Sequence, residues 1–125
     1  MPASLDLTLH SERRPEQLAD LTRELARDLG RERRLDVRGA TRPAAPGERA
    51  AGVELIGQLV LTFLGGGAAK ALLDCLRPYF ERDRTMVVAL KLPSGKELRI
   101  EGHDLRPARI TEIVEALEPL ETAAG

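Results

Sequence analysis

Apolar and polar residues alternate in four places along the chain, and each place predicts a strand. The clearest is residues 4–10, where Leu5, Leu7 and Leu9 point to one side and polar residues point to the other. A period of two is typical of a strand with one buried face. The other three runs are residues 34–40, 85–93 and 96–102, and Pro93-Ser94-Gly95 joins the last two as a predicted hairpin.

Helical spacing appears in the segments between and after these strands. In residues 14–30 leucine recurs every three or four positions, Pro15 suits a first helical turn and Gly30 suits a C-terminal cap. The segment RPARITEIVEALEPLE near the C-terminus has the same spacing. It predicts a helix that starts at Pro107, and we expect Pro119 to end or kink it.

The longest apolar region is residues 53–82, which has the consecutive glycines Gly65, Gly66 and Gly67 near its middle. Both halves have helical spacing, although the first half, GVELIGQLVLTFL, is short enough to be a strand as well. Three interior glycines disfavour a continuous helix by about 3 kcal/mol. We therefore expect a hinge at the glycines, within one bent helix or between two helices that cover the same sheet.

The order of these elements predicts one α+β domain over residues 1–125, with the order β-α-β-α(α)-β-β-α. A sheet covered on both faces needs continuous apolar strands, and the predicted strands alternate instead. We expect a two-layer sandwich, with about four strands in a mixed sheet, helices on one face and polar residues on the other. The first two strands would be parallel and joined by a right-handed crossover.

Two functional interpretations of the glycine segment meet physical objections. As a helix, the uncharged stretch Leu55–Ala69 would span about 22 Å at ~1.5 Å per residue, against a hydrocarbon core of ~30 Å. A Walker loop needs glycine directly before its lysine, whereas two alanines separate Gly67 from Lys70. A membrane-perturbing effector that inserts Leu55–Ala69 on oligomerisation remains the alternative function.

Composition narrows the classes of function. The net charge is −1 and aromatic residues make up 2% of the chain, whereas nucleic-acid binders need a basic excess and often stacking aromatics. We therefore expect no nucleic-acid partner. The single cysteine, Cys75, forms no internal disulfide, and the first residues lack a signal-peptide pattern. We expect a cytoplasmic protein.

Few residues indicate catalysis. Cys75 lies near the apolar face of its segment, where an inert buried thiol is common, and a cysteine-dependent enzyme is a third hypothesis. His10 and His103 follow strands and should be exposed, and with one cysteine they do not form a zinc set. A solvated acidic stripe is predicted on the last helix, at Glu112, Glu115, Glu118 and Glu121. We expect no enzyme activity, no cofactor and no metal.

The central region and the outer sheet face have more apolar surface than one sheet and its helices can bury. This excess predicts an interface with another subunit or a protein partner. The candidates are Leu55, Leu61 and Phe63 in the first half of the central region, and Val87 and Ala89 on the outer sheet face. Burial of the first three by the second half of the helical hairpin is the alternative.

Four segments, taken in order, resemble a known family. They are RELARDLGRERRLDVR, the loop ATRPAAPGERAAG, the run VELIGQLVLTFLGGGAAKALLDCLRPYFERDR and the hairpin VVALKLPSGKELRIEG. Together they resemble the effector-associated constant component (EACC) domains of bacterial conflict systems over nearly the whole chain. The resemblance implies an antiviral-defence adaptor or scaffold without enzymatic activity. It also implies a partner encoded nearby, such as a caspase-like or trypsin-like peptidase, or an NTPase sensor. We expect the protein to self-associate and to bind this partner through the central apolar region and the outer sheet face. The family supplies no active-site residues.

Overall fold

A computed structural model describes residues 3–43 and 52–124 of the chain. In chain order the elements are β1 (Ser4–His10), α1 (Pro15–Gly30), β2 (Leu35–Pro43), β3 (Gly52–Phe63), α2 (Ala68–Arg82), β4 (Val87–Lys91), β5 (Glu97–Glu101) and α3 (Pro107–Ala124), with a 3-10 turn at Gly102–Asp104. Both ends of the predicted loop, residues 41–52, lie in strands, because β2 continues to Pro43 and β3 starts at Gly52. Its residues 44–51 lie outside the described part of the chain.

The strands form one sheet in the order β2-β3-β1-β4-β5. The two-layer α+β architecture agrees with the prediction, but the sheet has five strands rather than about four, and every neighbouring pair is antiparallel. The expectation of a mixed sheet was wrong. β1 and β2 do run in the same direction, because both pair antiparallel with β3, which lies between them.

β3 replaces the first helix of the predicted hairpin. Leu59, Leu61 and Phe63 are buried on one face, while Val60 and Thr62 are half-buried on the other. The segment is rich in β-branched residues, which favour strands, and it hydrogen-bonds to a strand on each side. These two ladders outweigh the helical spacing that the same residues also satisfy.

Gly57 allows β3 to pass close to β1. Its φ is +79°, and a Cβ at this position would lie 3.0 Å from the carbonyl oxygen of Leu9. The pairing of β2 with β3 shifts register between Gly39 and Thr41, on the other side of β3. Glycine is the residue that adopts positive φ without strain and permits such a close backbone approach.

The three consecutive glycines connect β3 to α2, so they are a strand-to-helix turn rather than a hinge between two helices. α2 begins at Ala68, and Gly67 precedes it with a φ of +85°. The glycines thus separate two elements, and the element before them is a strand rather than the predicted helix.

One core lies between the inner sheet face and the three helices. Leu7, Leu61 and Phe63 contribute fully buried side chains from the sheet, and Leu25 and Leu72 do so from the helices. α3 does not end at Pro119 but continues to Ala124, because Leu120 beyond the proline is buried in the same core.

Candidate interaction surface

The side of the sheet away from the helices is the candidate site, and we call it the outer face. Among residues 3–43 and 52–124, the buried parts of all three helices belong to the core on the opposite side. The outer face consists of Ser4, Asp6, Thr8, His10, Asp36, Arg38, Gln58, Val60, Thr62, Val87, Ala89, Lys91, Glu97, Arg99 and Glu101.

Strand pairing arranges these residues in rows that cross the sheet. One row is Arg38, Val60, Asp6, Lys91 and Glu97, and the next is Gln58, Thr8, Ala89 and Arg99. In the first row Asp6, Lys91 and Glu97 alternate in charge on neighbouring strands, an arrangement that stabilises a sheet. The inner strands β3, β1 and β4 carry the small and apolar residues of the two rows beside the charged residues Asp6 and Lys91. The edge strands β2 and β5 carry Arg38, Glu97 and Arg99.

A shallow depression of about 370 Å³ lies in the middle of the outer face. Its lining includes Ala89, Thr8 and Gln58, together with longer charged residues of the neighbouring strands. Ala89 has a short side chain among longer ones and is 8% exposed. The short side chain of Ala89 thus leaves the depression open between its longer neighbours.

The residues predicted for an interface separate into two groups. Val87 and Ala89 lie on the outer face, as expected from their alternation. Leu61 and Phe63 are 0% exposed and belong to the core, so they offer no surface in this fold. Leu55 lies in β3, at a position whose side chain is outside the described part of the chain.

The start of α2 is occupied by a side chain of the same protein. The backbone N–H of Ala69 donates to Oε1 of Glu121 on α3 at 2.8 Å. A helix N-terminus attracts anions because its first N–H groups have no partner within the helix. Here the glutamate takes the place that a phosphate would need. Glu121 was predicted to be part of a solvated stripe, and its role as a cap was missed because the two residues are far apart in sequence.

Cys75 has the environment of an unreactive thiol. It is half-buried on α2. Burial raises its pKa, and the negative charges of Glu32, Asp28 and Asp74 raise it further. A nucleophilic cysteine needs the opposite, a basic surrounding that favours the thiolate.

The two histidines occupy different surroundings. His10 is exposed and lines the depression on the outer face. His103 Nε2 lies 3.6 Å from carboxylate oxygens of both Glu101 and Asp104. Potential metal-binding atoms of these three residues lie within 4.8 Å of one another. The sequence EGHD could have suggested this group, which sequence analysis missed. Arg109 also lies 3.6 Å from Asp104, and its positive charge opposes a cation there.

In the described ranges, 3–43 and 52–124, no helix has the length and apolar character needed to cross a membrane. Residues 55–63 of the apolar stretch lie in β3. The inserting helix Leu55–Ala69 that the alternative function requires is therefore not a helix in this structure.

These features define a small two-layer α+β protein in which all the helices of the described ranges pack against one face of an antiparallel sheet. The chain belongs to the family Effector Associated Constant Component 1, whose model matches residues 10–118. The resemblance noted from the sequence is confirmed, and the family name associates the protein with effectors. Among curated proteins, no match to the chain is found.

Proposed function

We propose that this protein is a non-enzymatic adaptor of a bacterial conflict system and binds an effector through its outer face. The effector would be a peptidase of the caspase-like or trypsin-like kind, or an NTPase sensor, in the cytoplasm of the same cell. The observation that carries the proposal is the uncovered outer face with its central depression, in a member of an effector-associated family.

The chemistry of the outer face supports protein binding. Specific interfaces have a desolvated centre with few charges and a polar rim. Val60 and Ala89 lie on inner strands of this face beside Asp6 and Lys91, and Val87 lies at the start of β4. Arg38 and Arg99 lie on the edge strands. The described part of the outer face has no Phe, Tyr or Trp. The partner would therefore supply the large anchoring side chain, and the depression would receive it.

The surroundings of the candidate nucleophile support a role without catalysis. A raised thiol pKa at Cys75 leaves little thiolate at neutral pH. Asp104, beside His103, lies 3.6 Å from both His103 Nε2 and Arg109 Nε. The proposal therefore assigns the protein's activity to binding.

The test is a pair of matched substitutions measured against purified effectors. Ala89→Arg fills the depression, and Ala108→Arg makes the same change at an exposed position of α3. Each variant is titrated by calorimetry into the peptidase-like and NTPase-like proteins encoded by neighbouring genes. We expect Ala89→Arg to weaken binding at least about ten-fold, the loss of one central contact, and Ala108→Arg to bind like the parent.

Circular dichroism of both variants shows whether they fold. Equal affinity of the parent and folded Ala89→Arg for the effector would exclude the outer face as the binding surface. A loss of binding confined to Ala108→Arg would move the site to the helical side.

A further inference from the structure

β2 lies at the end of the sheet order and, within residues 3–43 and 52–124, pairs with a strand on one side only. We call residues 35–39, which precede the register shift, the β2 edge. An exposed edge presents unpaired backbone donors and acceptors, and it can pair with another strand. The partner strand that fits the β2 edge is determined by the directions of its backbone groups and by the charges of its side chains.

The backbone groups of the β2 edge follow from its pairing with β3. The N–H of Leu64 donates to the carbonyl of Arg34 at 2.8 Å. In an antiparallel ladder hydrogen-bonded and non-hydrogen-bonded pairs alternate. Asp36 and Arg38 therefore direct their backbone groups to β3, while Val37 and Gly39 direct theirs to the open side. The carbonyl of Leu35 is also directed outward.

The side chains at the β2 edge carry opposite charges two residues apart. Asp36 and Arg38 lie on the outer face with 55% and 71% of their side chains exposed, and their Oδ2 and Nε are 3.9 Å apart. An ion pair this exposed and this long contributes little to the stability of the monomer. Between them Val37 points inward, half-buried and packed against the core.

We propose that a second copy of this chain pairs with the β2 edge, antiparallel and about a two-fold axis at Val37. In this register Asp36 lies opposite Arg38 of the second copy, and Arg38 lies opposite its Asp36. The Val37 residues face each other and exchange two backbone hydrogen bonds. The N–H of Gly39 donates to the Leu35 carbonyl of the other copy, once in each direction.

Electrostatics select this register over its neighbours. A two-fold axis at Asp36 would place the two aspartates opposite each other, and an axis at Arg38 would do the same with the two arginines. Like charges directly opposite destabilise strand pairing, and opposite charges stabilise it. In the register centred on Val37, both pairs are attractive. They are also non-hydrogen-bonded pairs, whose side chains lie closest together.

Such a dimer continues the sheet from one copy into the other. Pairing about a two-fold axis closes the assembly, because each copy uses the edge strand that its partner uses. It also places both outer faces on the same side of one extended sheet. The dimer would thus present two effector-binding surfaces, and its formation does not depend on the proposed function.

The test measures the mass of the protein alone in solution. Analytical ultracentrifugation over a concentration series gives the dimer dissociation constant for the parent and for three variants. Arg38→Glu converts both attractive pairs into repulsive ones, and we expect its dissociation constant to rise about ten-fold or more. Asp36→Arg with Arg38→Asp exchanges the charges, and we expect this double variant to dimerise like the parent. Arg99→Glu is the matched control on the other edge strand, β5, and should leave the dimer unchanged.

A parent that stays monomeric at its highest soluble concentration would overturn the proposal. So would an Arg38→Glu variant that is folded and still dimerises like the parent, or a double variant that does not recover. The outcome is separate from effector binding, because Ala89→Arg alters the outer face and leaves the β2 edge intact.

Discussion

At the scale of single residues, Asp83 shows how a buried carboxylate joins two distant segments. It follows α2, is 9% exposed, and accepts hydrogen bonds from Ser11 Oγ at 2.6 Å and from the Thr85 backbone N–H at 2.9 Å. Arg13 Nε donates to it at 3.0 Å. Burial alone would raise the pKa of Asp83, but the hydrogen bonds from Ser11, Thr85 and Arg13 outweigh burial and lower it to about 2. The end of β1 is thereby fixed beside the start of β4.

This lowered pKa predicts a dependence of stability on pH. Because the pKa of Asp83 is lower in the folded than in the unfolded chain, its contribution is fully present above its ordinary value of 3.8. The contribution is lost as the pH falls toward about 2. Asp83→Asn should lower the free energy of unfolding by about 1–3 kcal/mol at neutral pH. It should also remove part of the acid sensitivity of the parent.

Urea unfolding of the parent and variant at neutral and acidic pH measures both effects. Asp20→Asn is the control, because Asp20 is 80% exposed and pairs with Arg23 on the surface of α1. Equal stability losses for the two variants at neutral pH would contradict the role given to Asp83.

At the scale of elements, the contact between α3 and the start of α2 explains why Glu121 is not simply part of a solvated stripe and why α3 extends beyond Pro119. Glu121 caps α2 only if α3 continues beyond Pro119, and burial of Leu120 keeps that last turn helical. The glycine turn needs this cap, because Gly67 has no side chain with which to cap the helix.

Removal of the cap should destabilise the protein measurably. Glu121→Ala leaves the Ala69 N–H without its acceptor, and we expect a loss of about 1–2 kcal/mol in the free energy of unfolding. Glu121→Gln keeps an acceptor oxygen and should lose less. Glu118→Ala, at an exposed position one turn earlier, is the control. Chemical denaturation of the three variants tests the assignment, and it fails if Glu118→Ala costs as much as Glu121→Ala.

The elements that the sequence predicts correctly are those whose pattern fits one structure only. Alternation at Leu5, Leu7 and Leu9 fits a strand and no helix, and β1 forms where predicted. The run through Leu59 and Phe63 fits both spacings, and it becomes β3 because strands are available on both sides of it. Whether this segment forms a strand or a helix depends on its pairing with β1 and β2, and the periodicity of one segment carries no information about such pairing.

At the scale of the whole molecule, the same distinction applies to the candidate site. Val87 and Ala89 could be assigned to the outer face because alternation fixes which side of a strand a residue occupies. The depression around Ala89 depends on which strands lie beside β4, so it appears only in the folded sheet. The opposite charges of Asp36 and Arg38 are visible in the sequence, but they indicate strand pairing with a second copy only because β2 is an edge strand.

Layer organisation gives the molecule three kinds of surface: helices on one side, the outer face on the other, and two strand edges. We propose that the outer face binds the effector and that the β2 edge binds a second copy. The two surfaces share one sheet, so an effector bound to each copy would lie beside the other. Dimerisation would then bring two effectors together without changing the fold of the adaptor.

The central claim is that an effector contacts the outer face, and methyl NMR of the protein during titration with its effector tests it most directly. The methyl groups of Val60, Val87 and Ala89 report on the outer face, and those of Ala108 and Ala123 report on exposed positions of α3. We predict that the outer-face methyl resonances shift most and that those of α3 stay unchanged. Shifts confined to the α3 methyl groups, with Val60, Val87 and Ala89 unaffected at saturation, would contradict the account.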